Sequence, residues 1–179
     1  MSQKIKVATI WLDGCSGCHM SFLDMDERLI ELAQYIDVVY SPYVDTKEFP
    51  SGVDLTIVEG ALSSDHDVKM IKTIRKNSKK ILALGDCAIT GNVSTMKNLY
   101  GTKAIIETGY TQNADENVGV VPNKVVPKLL DRVYPLHEIV DIDYYLPGCP
   151  TPADAIYEML QSLIHGTEID VMQYTRFGR

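Results

Sequence analysis

Short runs of β-branched and apolar residues alternate along the chain with stretches whose apolar positions recur at helical spacing. Residues 4–11 (KIKVATIW) read as a buried strand. From about residue 20 to 35, Phe22, Leu23, Leu29, Ile30 and Ala33 share one face, which predicts a helix. Residues 36–40 (IDVVY) predict a second strand, ended by Ser41-Pro42, and residues 54–59 (DLTIVE) a third. Ser64 has the side chain of an N-cap for a helix through Val68, Ile71 and Ile74 that stops near Asn77. Residues 80–84 (KILAL) form the fourth expected strand, broken by Gly85.

The pattern weakens over residues 91–127, where Gly101, Gly109, Gly119 and Pro122 predict short elements and surface loops. A helical turn or two is expected at 129–136, and a late strand at 139–146. Pro152 sits where proline is tolerated at a helix start, and that helix runs through Ile156, Met159, Leu160 and Leu163 to Gly166. Strands alternating with helices imply a mostly parallel sheet covered on both faces. The expected fold is therefore α/β, doubly wound and flavodoxin-like, in one domain over residues 1–179.

Composition narrows the function. The 179 residues carry 17 Lys and Arg against 24 Asp and Glu, a net charge of −7, and 45% are hydrophobic. A chain of this size buries enough surface to fold without staples. The acidic balance argues against a nucleic-acid partner, because phosphate neutralisation needs clustered Lys and Arg. No apolar run approaches the roughly 20 residues of a transmembrane helix. The start, Met1-Ser2-Gln3-Lys4-Ile5-Lys6, shows no targeting segment. The expected location is the cytoplasm, where thiols stay reduced and cysteines serve metals or catalysis more often than disulfides.

The four cysteines then become the informative residues. Cys15 and Cys18 lie in Asp13-Gly14-Cys15-Ser16-Gly17-Cys18, after the first strand. Cys87 follows the fourth strand in Gly85-Asp86-Cys87-Ala88, and Cys149 follows the late strand in Pro147-Gly148-Cys149-Pro150. All four thus stand at carboxyl ends of strands, the edge where doubly wound sheets bind ligands. Three chemistries compete for them. A thioredoxin-like dithiol would use Cys15 and Cys18 and leave the others idle. Four thiolates can hold a structural zinc ion, but such sites usually draw on paired knuckles. A [4Fe–4S] cluster uses all four. The neighbouring glycines (Gly14, Gly17, Gly85, Gly148) allow the backbone to approach a bulky group, and Cys149-Pro150 repeats a ferredoxin habit. The cluster accounts for most of these residues. Neither G-x-G-x-x-G nor a phosphate P-loop is present.

These motifs, with Val58-Glu59-Gly60-Ala61 after the third strand, resemble the small subunit of [NiFe] hydrogenases. That family is related to the 20 kDa subunit of NADH-ubiquinone oxidoreductase, and the likeness is greatest to the short small subunit of soluble NAD(P)-linked enzymes. It covers residues 5–165. The resemblance implies that Cys15, Cys18, Cys87 and Cys149 hold one proximal [4Fe–4S] cluster. It also implies a large partner subunit carrying the Ni–Fe centre, and a diaphorase module with flavin, NAD and further iron–sulfur groups. FMN at this edge is a further implication, although no hydroxyl-rich phosphate loop occupies the turn after the first strand. Longer members add an extension with more clusters; with no fifth cysteine, none is expected here. Longer members also place Glu before the first cysteine, where this chain has Gly14 after Asp13, so Asp13 is read as a turn former. The related quinone-reductase subunit carries adjacent cysteines in its first motif, unlike the C-x-x-C here.

Beyond the cysteines, Glu59 at the same edge is a candidate for proton handling, partner contact or loop orientation, beside the plainer reading of a solvated carboxylate. Trp11 is expected to pack or meet a partner, and His19, at the start of a helix beside Cys18, to lie at the surface rather than hydrogen-bond near a cluster. His66, His137 and His165 show no ligand spacing. Tyr144-Tyr145 reads as strand packing, and Asp24, Asp26, Glu27 and Arg28 as a solvated helix face.

Overall fold

The computed structural model describes residues 4–178; Met1-Ser2-Gln3, part of the start expected to be free of targeting sequence, and Arg179 lie outside the described residues. In chain order the elements are β1 (Ile5–Trp11), α1 (Gly17–Leu23), α2 (Arg28–Leu32), β2 (Ile36–Tyr40), β3 (Val53–Glu59), β4 (Leu62–Ser64), α3 (Asp65–Asn77), β5 (Ser78–Leu84), α4 (Gly85–Thr90), α5 (Thr102–Glu107), β6 (Leu129–Tyr134), β7 (Tyr144–Leu146) and α6 (Ala153–His165). The five-stranded sheet runs β2-β1-β3-β5-β7 with every neighbouring pair parallel. Counted along the sheet's own strands this is the flavodoxin-like order, which reverses between β1 and β3. The α/β, doubly wound expectation holds.

Successive strand residues point to opposite faces, so each strand feeds two cores. On one face Val7, Leu55, Ile57, Leu82 and Leu146 pack with Phe22 of α1 and Ile156 and Leu160 of α6. On the other, Ile10, Val58, Ile81 and Ala83 meet Ile71 and Ile74 of α3. Residues 91–127 hold short turns and α5, as the glycines and Pro122 suggest, and the α6 boundaries match the Pro152 and Gly166 reading.

Three expectations need correction. The helix expected over 20–35 is two short helices. Met25 turns into the core at 2% exposure, and Asp26 takes a left-handed φ of 51°, which Asp tolerates and a helix interior does not. The segment 129–136 is not helical but β6, paired antiparallel with β4 in a second, two-stranded sheet. That pairing joins residues far apart in sequence, which local periodicity does not report. The late strand shrinks to β7. A 3₁₀ turn occupies Leu136–Glu138, and the Asp143 carboxylate accepts from Ile81 N at 2.9 Å, taking the place of a ladder partner.

The Ser64 reading holds in detail. Its Oγ accepts from Asp67 N at 3.2 Å and the Asp67 carboxylate accepts from Ser64 N at 2.8 Å, a capping box. Ser64→Ala is expected to lower the unfolding free energy by about 1 kcal/mol. Urea denaturation reads this directly, and an unchanged midpoint would count against the cap.

Candidate metal centre

The parallel topology brings the carboxyl ends of β1, β3, β5 and β7 to one edge, and each cysteine follows one of three of them. After β1 the chain is pinned to the β3 end: Leu12 N donates to Glu59 O at 2.8 Å, and Asp13 and Ala61 form a two-way backbone bridge. Asp13 thus serves the turn, as read from sequence. Ser16 then takes a left-handed φ of 61° and leads into α1 without capping it. Glu59 supplies the missing acceptor from β3. Its carboxylate receives Cys18 N at 3.3 Å, His19 N at 2.9 Å and the His19 ring through Nδ1 at 2.5 Å. Glu59 is 3% exposed and His19 1%, so neither the solvated-carboxylate reading nor the surface-histidine reading stands. The free amides at the start of α1 draw the carboxylate inward. Trp11 meets the imidazole edge-on at 5.9 Å while staying 44% exposed, and the Tyr43 ring lies tilted to it at 6.2 Å. Among the described residues His19 Nε2 has no partner.

The remaining cysteines come from the loops after β5 and β7. Cys87 sits in the first turn of α4, half-buried, and Cys149 is exposed, followed by the cis peptide to Pro150. Asn92 Nδ2 donates to Cys149 Sγ at 3.2 Å, and the Cys18 and Thr151 side chains approach at 3.8 Å. Asp86 ties the two loops together: its carboxylate accepts from Gly148 N at 2.8 Å while its own N donates to Gly148 O at 2.9 Å. Sequence reasoning assigned nothing to Asn92, Thr151 or Asp86. Only the position of Asp86 between Gly85 and Cys87 marked it.

The four side chains converge closely enough to feel one another's charge. Burial pushes the Cys18 thiol from the ordinary 9.0 up to about 11, opposed by hydrogen bonding to Thr151 and helped by the Glu59 charge. Burial, and then the charges of Cys149 and Cys15, push the Cys87 thiol up to about 11. Cys18 and Cys87 therefore resist ionising until a cation joins them. Yet among the described residues no three His, Cys, Asp or Glu side chains stand close enough to share a single metal ion. A tetrahedral ion with bonds of ~2.3 Å would hold its sulfurs roughly 3.8 Å apart. In a four-iron cluster each thiolate takes its own iron, so the sulfurs stand wider. The backbone leaves room on the inner side: Gly85 has a φ of +82°, and a Cβ there would lie 2.4 Å from Cys18 Sγ. The residues fit such a group.

The other candidates lie elsewhere. His66, His137 and His165 are exposed and apart; His165 meets Tyr35 edge-on. Tyr144 packs under Lys80 and Tyr145 against His137, as strand residues do. Asp24, Asp26, Glu27 and Arg28 are solvated, Arg28 pairing with Asp154. No helix among the described residues is long and apolar enough to cross a membrane.

Two consequences are testable on the metal-free, reduced chain. The Cys18 and Cys87 thiols are pushed up to about 11 in the folded chain from 9.0, so the folded chain binds more protons between those values. Its stability is then full below about pH 9 and falls as pH rises toward about pH 11. Denaturation across that range should show the decline, and replacing Cys18 and Cys87 with Ala should flatten it. Gly85→Ala should cost about 1–3 kcal/mol, because the new methyl group drives Cys18 aside in a left-handed backbone. Wild-type stability in that variant would contradict the close approach.

Comparison with known proteins shows what the chain is similar to. A sequence-family profile described as NADH ubiquinone oxidoreductase, 20 Kd subunit, matches residues 15–163. The chain is 39% identical over 172 residues to the delta subunit of the NAD-reducing hydrogenase HoxS of Cupriavidus necator, covering 94% of this chain and 82% of that one. It is 37% identical over 165 residues to a subunit of the F420-non-reducing hydrogenase (vhu) of Methanocaldococcus jannaschii, covering 92% of this chain but 57% of that one. It thus spans a little over half the length of such archaeal relatives. Among solved structures, a chain of an NAD+-reducing [NiFe]-hydrogenase in the H2-reduced state superposes with a TM-score of 0.92 at 34% identity, over 98% of this chain and 99% of that one.

Proposed function

The chain belongs to the family of the NADH ubiquinone oxidoreductase 20 kDa subunit, in which its relatives at 39% and 37% identity are hydrogenase subunits, and on that footing we propose that it is the electron-transfer small subunit of a [NiFe] hydrogenase. In this role it relays electrons between a Ni–Fe site on a large partner subunit and a diaphorase module, for reversible dihydrogen oxidation coupled to NAD(P). It is inactive alone, and its place is the cytoplasm. The observation that carries the reading is that Cys15, Cys18, Cys87 and Cys149 all follow strands at one sheet edge, with Cys87 near enough to the other three for their charges to act on one another.

These four residues are the proposed ligands of one [4Fe–4S] cluster, which when bound supplies reversible one-electron storage. The protein's own groups set the conditions. Asn92 offers an N–H to the Cys149 sulfur, and a donor to a ligating thiolate stabilises the reduced form. Glu59 holds the first turn of α1, and with it Cys18, in a fixed orientation. Its burial makes it a positioning residue rather than a surface for a partner. Cys15 and Cys149 are exposed, and around them Trp11, Met20, Val93 and Met96 leave apolar surface open to solvent. A large subunit seated there would bury that surface and exclude water from the electron path. The turn after β1, where a flavin phosphate sits in this topology, is taken by the C-x-x-C, so FMN is not included in the proposal.

Anaerobic purification of the full chain should give about four iron and four sulfide per chain, with a reduced-cluster EPR spectrum. One zinc without sulfide would sink the proposal in favour of a thiolate zinc or dithiol module. Cys87→Ala should abolish the cluster and uncouple hydrogen-dependent NAD(P) reduction; full cluster retention would remove Cys87 from the ligand set.

A further inference from the structure

Building on the four-thiolate reading, we propose that Asp86 is a positioning residue that fixes the Cys87 and Cys149 sulfurs relative to each other, with the segment 175–178 as its second anchor. The residue before Cys87 and the residue before Cys149 are joined by a reciprocal pair of hydrogen bonds, Asp86 N to Gly148 O at 2.9 Å and Gly148 N to Asp86 Oδ1 at 2.8 Å. These loops are otherwise supported by different strands, β5 and β7, of which β7 is only three residues long. The clasp therefore adds rigidity where the sheet gives least.

The second carboxylate oxygen reaches the C-terminal segment. Gly178 N donates to Asp86 Oδ2 at 2.7 Å, and Thr175, buried at 6%, donates its Oγ1 to Pro147 O at 2.6 Å. The enclosure is tight. Gly148 has a φ of +138°, and a Cβ there would lie 2.6 Å from Thr151 Cα and 2.9 Å from Thr175 Oγ1. Asp86 itself is 5% exposed, and among the described residues no Lys, Arg or His pairs with it. Among the described residues its carboxylate is held by two backbone amides. Two amides approach two different oxygens, and this demands an acid: an amide side chain of the same shape has one acceptor oxygen and turns an N–H toward the other donor. A residue present only to fill space would carry no such requirement.

The test compares wild type, Asp86→Asn, Asp86→Ala and Thr175→Val as full chains, purified anaerobically with the subunits that accompany them. Amide hydrogen exchange at Gly148 and Gly178 is also followed on each full chain without metal. In Asp86→Asn one of these amides should exchange about tenfold faster while the other keeps its protection, the loss of one hydrogen bond. In the loaded complex the EPR midpoint should move to a more positive potential with iron retained, because a buried negative charge beside the cluster is gone. Asp86→Ala should lose protection at both amides and bind less iron. Thr175→Val should release Gly178 and leave Gly148 protected. Wild-type exchange at both amides together with a wild-type midpoint in Asp86→Asn would overturn the proposal. If Asp86→Ala fails to fold, the Asn and Val variants decide. If wild type holds no iron yet the amides respond as described, the clasp stands and the hydrogenase reading fails.

Discussion

Four thiols brought to one edge repel one another once ionised, and the structure around them is organised to hold them together nonetheless. Each thiol on the inner side of the site is harder to ionise than a free one, through burial and through its neighbours. Two buried carboxylates, Glu59 and Asp86, add further negative charge within the same few loops. Among the described residues no Lys or Arg pairs with either. Glu59 takes two backbone amides and an imidazole, and Asp86 takes two backbone amides. The site is built from oriented N–H dipoles, which cost no reorganisation when charge arrives. On the proposed function, an electron-rich setting of this kind favours the oxidised form of the cluster and so a low potential, as the dihydrogen couple requires.

The sheet makes that concentration possible. A parallel order that reverses between β1 and β3 opens a crevice at the carboxyl edge, and two loops there cross-link through Asp13 and Ala61. The first turn of α1 rises from that crevice with its amides pointing at the end of β3. In the flavodoxin-like topology such a turn receives a phosphate. Here the Glu59 carboxylate takes the anion's place, and the thiols occupy the space in front. On the proposed function, the same architecture is thereby turned from binding an anionic cofactor to binding a metal group.

Much of this was legible in the sequence, for a physical reason: β-branched runs, helical spacing, glycine breaks and the Ser64 cap are local properties. They placed β1, β2, β3, β5, α3 and α6, and with them the strand-end position of every cysteine. The errors also had local causes. Met25 looked like one more helical position until the core claimed it, and residues 129–134 carried no pattern announcing β4 as their partner.

What the sequence determined by itself was a set of four thiols and its place on the fold, each following a strand in a chain patterned for a parallel sheet. The tertiary structure decided how those thiols are held. The ties of Glu59 to the first turn of α1, of Asp86 to Gly148 and Gly178, and of Asn92 to Cys149 join residues up to 92 positions apart. They are hydrogen bonds between side chains and distant backbone or sulfur, and such bonds leave no period in a sequence. Their partners are chosen only when the sheet closes and buried carboxylates must find donors.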